Sequence, residues 1–201
     1  MNISALIIST SLFLLTMVLE TGSELNDKVS EVGTEITIID FSSTSGASWQ
    51  IVNDSVMGGI SRSTLQLQDG GYALFSGTVS LENSGGFASV RTRARTPADL
   101  SDFEGLSVRV LGDGKIYSIR VKTVKNGRIT RYSYEARFNT VAGEWQTYKL
   151  PFSEFKPVFR GRDVRGNPEI NSDAIIELGF MIQDGQEGPF RMGVRSIGVY
   201  R

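Results

Sequence analysis

Cysteine and histidine are both missing from the 201-residue chain. Ser-His-Asp and Cys-His nucleophilic systems, thiol redox chemistry and the usual zinc ligand sets each need one or the other, so all are excluded. Without disulfides, stability has to come from a buried core, which a chain of this length can build. Catalysis is narrowed but survives on paper, because carboxylate pairs, lysine, tyrosine or a hard cation held by Asp and Glu remain. A surplus of either charge is also lacking: 21 Lys and Arg stand against 22 Asp and Glu, a net charge of −1. Nucleic-acid binders normally carry a pronounced cationic excess, which disfavours that class. There is no G-x-x-x-x-G-K-[ST] loop, no G-x-G-x-x-G between strand and helix and no EF-hand spacing, so no cofactor is expected. Internal repeats are absent too.

What is present begins with Ile3 to Leu19, an uncharged apolar run that ends at Glu20. It suits a signal-peptide core or a short membrane anchor, at the low end of what a bilayer requires. It does not look like an Arg-rich, acid-poor mitochondrial presequence. The expectation is therefore an exported or membrane-tethered protein, or a cytoplasmic one if the segment is no signal. The division that follows is 1–22 as signal peptide or membrane anchor, 23–35 as an acidic linker and 36–201 as one domain of ordinary size.

From Ile36 onward the pattern is β, and no segment sustains a helical period. Ile36 to Phe41 is a short apolar strand; Ser63 to Gln68 and Tyr72 to Leu81 form a hairpin around Asp69-Gly70-Gly71. Phe87 to Ala94 alternates, with Ala88, Val90, Thr92 and Ala94 on one face and Phe87, Ser89, Arg91 and Arg93 on the other. Leu106, Val108 and Val110 are in phase, and Trp145 to Leu150, Ile175 to Gln183 and Phe190 to Tyr200 read as further strands. The clearest hairpin is Tyr117 to Phe138, closed by the Asn126-Gly127 pair favoured in type I′ turns. With Lys125 facing Arg128, the register predicts Val121 opposite Tyr132, Ile119 opposite Tyr134, Arg120 opposite Ser133 and Lys122 opposite Arg131. That last pair opposes like charges, and either splays into water or awaits an anion. Lys156 to Ser172, with Arg160, Arg162 and Arg165, reads as a long loop, a binding element or disorder. About ten short antiparallel strands in one domain imply an all-β sandwich or jelly roll.

The densest stretch is Trp49 to Ser63, W-Q-I-V-N-D-S-V-M-G-G-I-S-R-S, with a Gly-rich companion at Asn83 to Arg91. The candidate binding or motif residues are Trp49, Asn53, Asp54, Met57, Gly58, Gly59 and Ser61 in the first, and Asn83, Gly85, Gly86 and Arg91 in the second. Gly-Gly opens backbone angles closed to other residues, and Asn and Asp side chains bond nearby N–H groups, so the literal reading is a tight, self-bonded turn. Asp54 is expected to accept backbone N–H groups from within Ser55 to Ser61. The competing readings are a Ca²⁺ ligand beside Asn53, or a catalytic carboxylate working with a distant Glu. Arg91 can bind a carboxylate or phosphate in bidentate fashion, or lie flat over an apolar neighbour. Trp49, Trp145, Tyr132 and Tyr134 would suit sugar stacking on a concave face and otherwise belong to the core.

W-Q-I-V-N-D-S-V-M-G-G-I-S, followed by F-S-G-T-V-S-L-E-N-S-G-G-F-A-S-V-R, D-G-K-I-Y-S-I-R, G-E-W-Q-T-Y-K-L-P-F-S-E-F-K-P and I-E-L-G-F-M-I, resembles the complex I intermediate-associated protein 30 family over about Ile36 to Tyr200. The resemblance implies a galactose-binding-like jelly-roll β-sandwich related to carbohydrate-binding modules. It also implies a non-catalytic factor that binds assembly intermediates of NADH:ubiquinone oxidoreductase. Some members pair this domain with a dinucleotide-binding domain, for which this sequence has no fingerprint. Three functions then compete. The first is a protein-binding assembly or chaperone-like factor for a membrane complex of respiratory type. The second is a carbohydrate-binding module of an exported protein. The third is a small carboxylate-dependent enzyme, which requires two acidic side chains to converge in one pocket.

Overall fold

The structure is a computed structural model that describes residues 35–42 and 47–201. The apolar run Ile3 to Leu19, and the proposed boundary at residue 22, lie outside the described residues. Among the described residues fourteen strands follow one another: β1 (Ile36–Asp40), β2 (Trp49–Ile51), β3 (Arg62–Gln68), β4 (Tyr72–Val79), β5 (Ala88–Ala98), β6 (Gly105–Leu111), β7 (Ile116–Lys125), β8 (Arg128–Ile129), β9 (Ser133–Asn139), β10 (Trp145–Pro151), β11 (Lys156–Phe159), β12 (Arg162–Asp163), β13 (Ile175–Ile182) and β14 (Gly188–Tyr200). They make two antiparallel sheets. The smaller runs β10-β6-β14-β4-β3, with β1 also on β14; the larger runs β12-β11-β9-β7-β13-β5-β2, with β8 on β7. Strands distant in sequence lie side by side, β6 with β14 and β5 with β13, as the jelly-roll expectation requires.

The core fills the space between the sheets because apolar residues recur at period two along each strand. Leu106, Val108 and Val110 of β6 are fully buried, as are Ala88 and Val90 of β5 and Phe180 and Ile182 of β13 or nearly so. Phe190 of the smaller sheet meets Tyr117 of the larger with ring centroids 6.4 Å apart, and packs on Phe75 at 5.0 Å. Each such side chain contributes roughly 2 kcal/mol by leaving water. Within the larger sheet, β13 is buried at all eight positions. Its outward residues include Glu177, so a carboxylate is buried on the sheet face that points away from the core.

Two expectations are corrected. Around the Asn126-Gly127 turn, with φ of 51° and 70°, Lys125 does face Arg128, and Val124 faces Ile129. Farther along, the pairing slips by two residues: Val121 lies opposite Tyr134, Ile119 opposite Ala136 and Arg120 opposite Glu135. Arg131 and Tyr132 are looped out beside Thr130, whose N–H donates to the Thr123 carbonyl at 2.9 Å and whose hydroxyl donates to the Tyr132 carbonyl at 2.9 Å. An even slip leaves every side chain on its own face, so the apolar face is retained. The slip also separates Lys122 from Arg131 and sets Arg120 against Glu135, replacing repulsion with attraction. The second correction concerns Lys156 to Ser172. Its first half is a hairpin of β11 and β12 closed by Arg160 and Gly161, both at positive φ, and not an open loop.

Candidate functional site: the Asp54 junction and the charged sheet face

Beyond β2 the chain enters a short 3-10 turn, Asp54–Met57, ended by Gly58 at φ 96°. Asp54 is completely buried. Its carboxylate accepts the Ser61 N–H at 3.0 Å, the Ser61 hydroxyl, the Gly86 N–H at 2.7 Å and the Phe87 N–H at 3.3 Å. The expected bond to Ser61 is present. The Gly86 and Phe87 donors come from the companion segment, so the residue joins two stretches of chain where a self-bonded turn was expected. Burial pushes the Asp54 pKa up, but the Ser61 hydroxyl and the N–H groups of Gly86, Phe87 and Ser61 outweigh it and hold the group below its ordinary value. Four donors converge on the carboxylate, three of them on Oδ2, so its charge is spent on holding the chain's own segments.

Asn53 works beside it. Its carbonyl oxygen accepts the Ser63 hydroxyl at 2.8 Å and the Ser89 N–H at 3.2 Å, while its amide reaches the Ser61 carbonyl at 3.4 Å. The glycines answer to contact as well as to backbone angle. A Cβ on Gly59 would sit 2.4 Å from Asp54 Cγ, and one on Gly85 would sit 2.7 Å from Asp54 Oδ2. Asn53, Asp54, Gly59, Ser61, Gly85 and Gly86 are therefore brought together at one junction. The other candidates are elsewhere. Trp49 stacks on Phe180 at 6.4 Å and packs against Phe41 at 5.6 Å, at the edge of the core. Asn83 is exposed, and Met57, next to Val56, is 53% exposed. Tyr134 is buried and Tyr132 packs against the core, whereas Trp145 lies under the Arg195 guanidinium beside Tyr72.

Arg91 belongs to a second assembly, on the outer face of the larger sheet. There Arg91, Gly179, Arg120 and Glu135 stand in one row across β5, β13, β7 and β9; Arg93, Glu177 and Lys122 form the next. Arg93 donates to Glu177 at 2.6 and 3.0 Å, and Arg91 reaches the same carboxylate at 3.4 Å. Glu135 takes Arg137 at 3.0 and 3.1 Å and Gln183 at 3.2 Å, with Arg120 at 3.6 Å. Burial lowers the Lys122 pKa against the pull of Glu177, and Arg91, Arg93 and Arg120 lower it further. Glu135, Glu154 and Asp163 line a separate cavity together with Arg137 and Lys156. Glu135 is already committed there to its guanidinium and amide partners. Sequence reasoning singled out Arg91 but passed over Glu177, Gly179 and Arg120. The available signal was an acid and a glycine in phase on an otherwise apolar strand.

Residues 39–194 match the family model described as Complex I intermediate-associated protein 30. The chain belongs to the complex I intermediate-associated protein 30 family. An uncharacterized Schizosaccharomyces pombe protein is 32% identical over 74% of this chain and 76% of its own length. The mouse protein named Complex I intermediate-associated protein 30, mitochondrial, is 30% identical over 76% of this chain, which spans 52% of that relative. Among solved structures, a family 11 carbohydrate-binding module from a Clostridium thermocellum cellulase superposes with a TM-score of 0.62 at 16% identity, covering 83% of this chain and 94% of the module. At that identity the likeness is one of fold, and it bears out the galactose-binding-like jelly roll. Family members from mouse, Drosophila melanogaster and Neurospora crassa are named mitochondrial. Those names overturn the expectation of an exported, membrane-tethered or cytoplasmic protein. An uncharged apolar stretch does not by itself specify an address, which is why the sequence misled.

Proposed function

We propose that this chain is a non-catalytic, protein-binding assembly factor that acts in mitochondria on an intermediate of complex I. The observation that carries the reading is the family match over residues 39–194, together with relatives named for that intermediate. The geometry supports it. Asn53, Asp54 and Ser61 are spent on bonds that hold the chain's own segments together, and Glu177 and Glu135 on ion pairs, so these groups serve a scaffold. Carbohydrate binding is drawn from the fold of its structural neighbours alone. Trp49 and Tyr134 turn toward the core instead of forming an open aromatic platform. The test is affinity capture of the tagged full chain from detergent-solubilised mitochondria, followed by native electrophoresis and mass spectrometry. Complex I subunits in a species smaller than the finished enzyme are expected. Recovery of no complex I subunit would sink the reading.

A further inference from the structure

We infer that the depression over Gly179, on the outer face of the larger sheet, is a docking site for an acidic segment of a partner protein. Arg91, Arg120 and Lys122 would take its carboxylates. The inference rests on the protein-binding reading above and names the chemistry of the partner.

Gly179 has Arg91 as its Cα partner on one side and Arg120 on the other. Because the glycine has no side chain, a cavity of about 150 Å³ opens between the two guanidinium groups, with Lys122 and Met181 also lining it. The close approach of the Val90 carbonyl, 2.5 Å from where a Cβ would lie, keeps the position a glycine and the cavity open. The cations around it are poorly served. Glu177 is taken up by Arg93, which leaves Arg91 one contact of 3.4 Å. Glu135 is taken up by Arg137 and Gln183, which leaves Arg120 a 3.6 Å ion pair and the Met181 sulfur. The Nε atoms of both Arg91 and Arg120 are buried without a partner. The Lys122 side chain makes no hydrogen bond or ion pair among the described residues, even though Glu177 stands opposite it in the sheet.

Gathering Arg91, Arg93, Arg120 and Lys122 around the two carboxylates of Glu177 and Glu135 leaves positive charge uncompensated. A carboxylate entering over Gly179 supplies two acceptor oxygens to the Lys122 ammonium and to the terminal nitrogens of two guanidinium groups whose own ion pairs are long. The cavity is of a size for one or two acidic side chains, and Val52, Phe87 and Met181 offer apolar wall for their methylene groups.

The experiment is a titration of the full chain with a fluorescently labelled octamer of glutamate at low salt, read by anisotropy. The wild type is expected to bind. Lys122→Gln, whose ammonium makes no hydrogen bond or ion pair among the described residues, should weaken binding about tenfold, and Arg91→Gln with Lys122→Gln about a hundredfold. Thermal melts establish that both variants fold; should the double variant fail to, the single one decides. Arg160→Gln with Arg165→Gln, on the exposed β11–β12 turn and the loop after it, should leave affinity unchanged. No binding by the wild type, equal loss in the loop variant, or binding only to phosphatidylglycerol vesicles overturns the inference. Because the peptide titration reads this face and mitochondrial capture reads the partner, either can fail alone.

Discussion

Asp54→Ala removes one acceptor from four donors at once. Ser61 is buried, and its hydroxyl can turn to the Ser80 carbonyl, 3.3 Å away, so that donor is not orphaned. Its N–H has no such recourse and loses about 2 kcal/mol, while the half-buried N–H groups of Gly86 and Phe87 lose about 1 kcal/mol each. The expected cost is therefore about 4 kcal/mol, close to a third or more of the stability of a domain this size. In a thermal melt that corresponds to a fall of roughly 8–16 °C. Asp54→Asn keeps the volume and one acceptor oxygen but turns an NH₂ toward the remaining donors, and should cost about half as much. Urea titration measures both, with the midpoint moving at constant slope. The pH dependence adds a second reading. Since the folded pKa lies below the ordinary 3.8, the ionised group stabilises fully above that value, and the benefit is lost as pH falls through the folded pKa. The gap between wild type and Asp54→Asn should thus be flat above about pH 5 and close in acid. A loss below about 1 kcal/mol for Asp54→Ala, or a gap that persists at low pH, would refute the account of the junction.

Further outcomes follow from the same geometry. Gly59→Ala places a Cβ 2.4 Å from Asp54 Cγ and should cost about 2–3 kcal/mol in the wild type, and about 1 kcal/mol less in an Asp54→Ala background, where Cγ is gone but the Cβ at 2.8 Å remains; a double-mutant cycle in urea reads the coupling. Glu177→Gln deprives Arg91 and Arg93 of their shared counter-charge, and because Arg93 is half exposed the loss should be only about 1–2 kcal/mol by thermal melt. Replacing exposed Val56 and Met57 with serine should change stability by no more than about 0.5 kcal/mol, so any loss of complex I capture in that variant reports on contact and not on folding.

Period-two alternation made the strands legible before any coordinates. β5, β6, β13 and β14 lie where their apolar residues repeat, and the Asn-Gly pair closes its hairpin as turn chemistry requires. The hairpin register was not legible beyond Ile129, because the looping out of Arg131 and Tyr132 depends on where Glu135 can find Arg120, a contact between strands. The junction was half legible for the same reason. Local chemistry points Asp54 at Ser61, but Gly86 and Phe87 lie more than thirty positions along the chain and reach it only when β2 pairs with β5. The cation-lined depression was hardest to read. Arg91, Gly179 and Arg120 sit on three strands and become neighbours only in the folded sheet.

The two-residue detour at Arg131 and Tyr132 sets a rule for how this hairpin can vary in length. Deleting both residues joins Thr130 directly to Ser133 and lets the β7–β9 ladder continue unbroken from the turn, with Tyr134 still opposite Val121. Deleting only one would reverse the facing of every residue on one arm and turn Tyr134, Ala136 and Phe138 out of the core. Length changes at this position should therefore be inherited in pairs, and odd ones eliminated, wherever this sandwich is built.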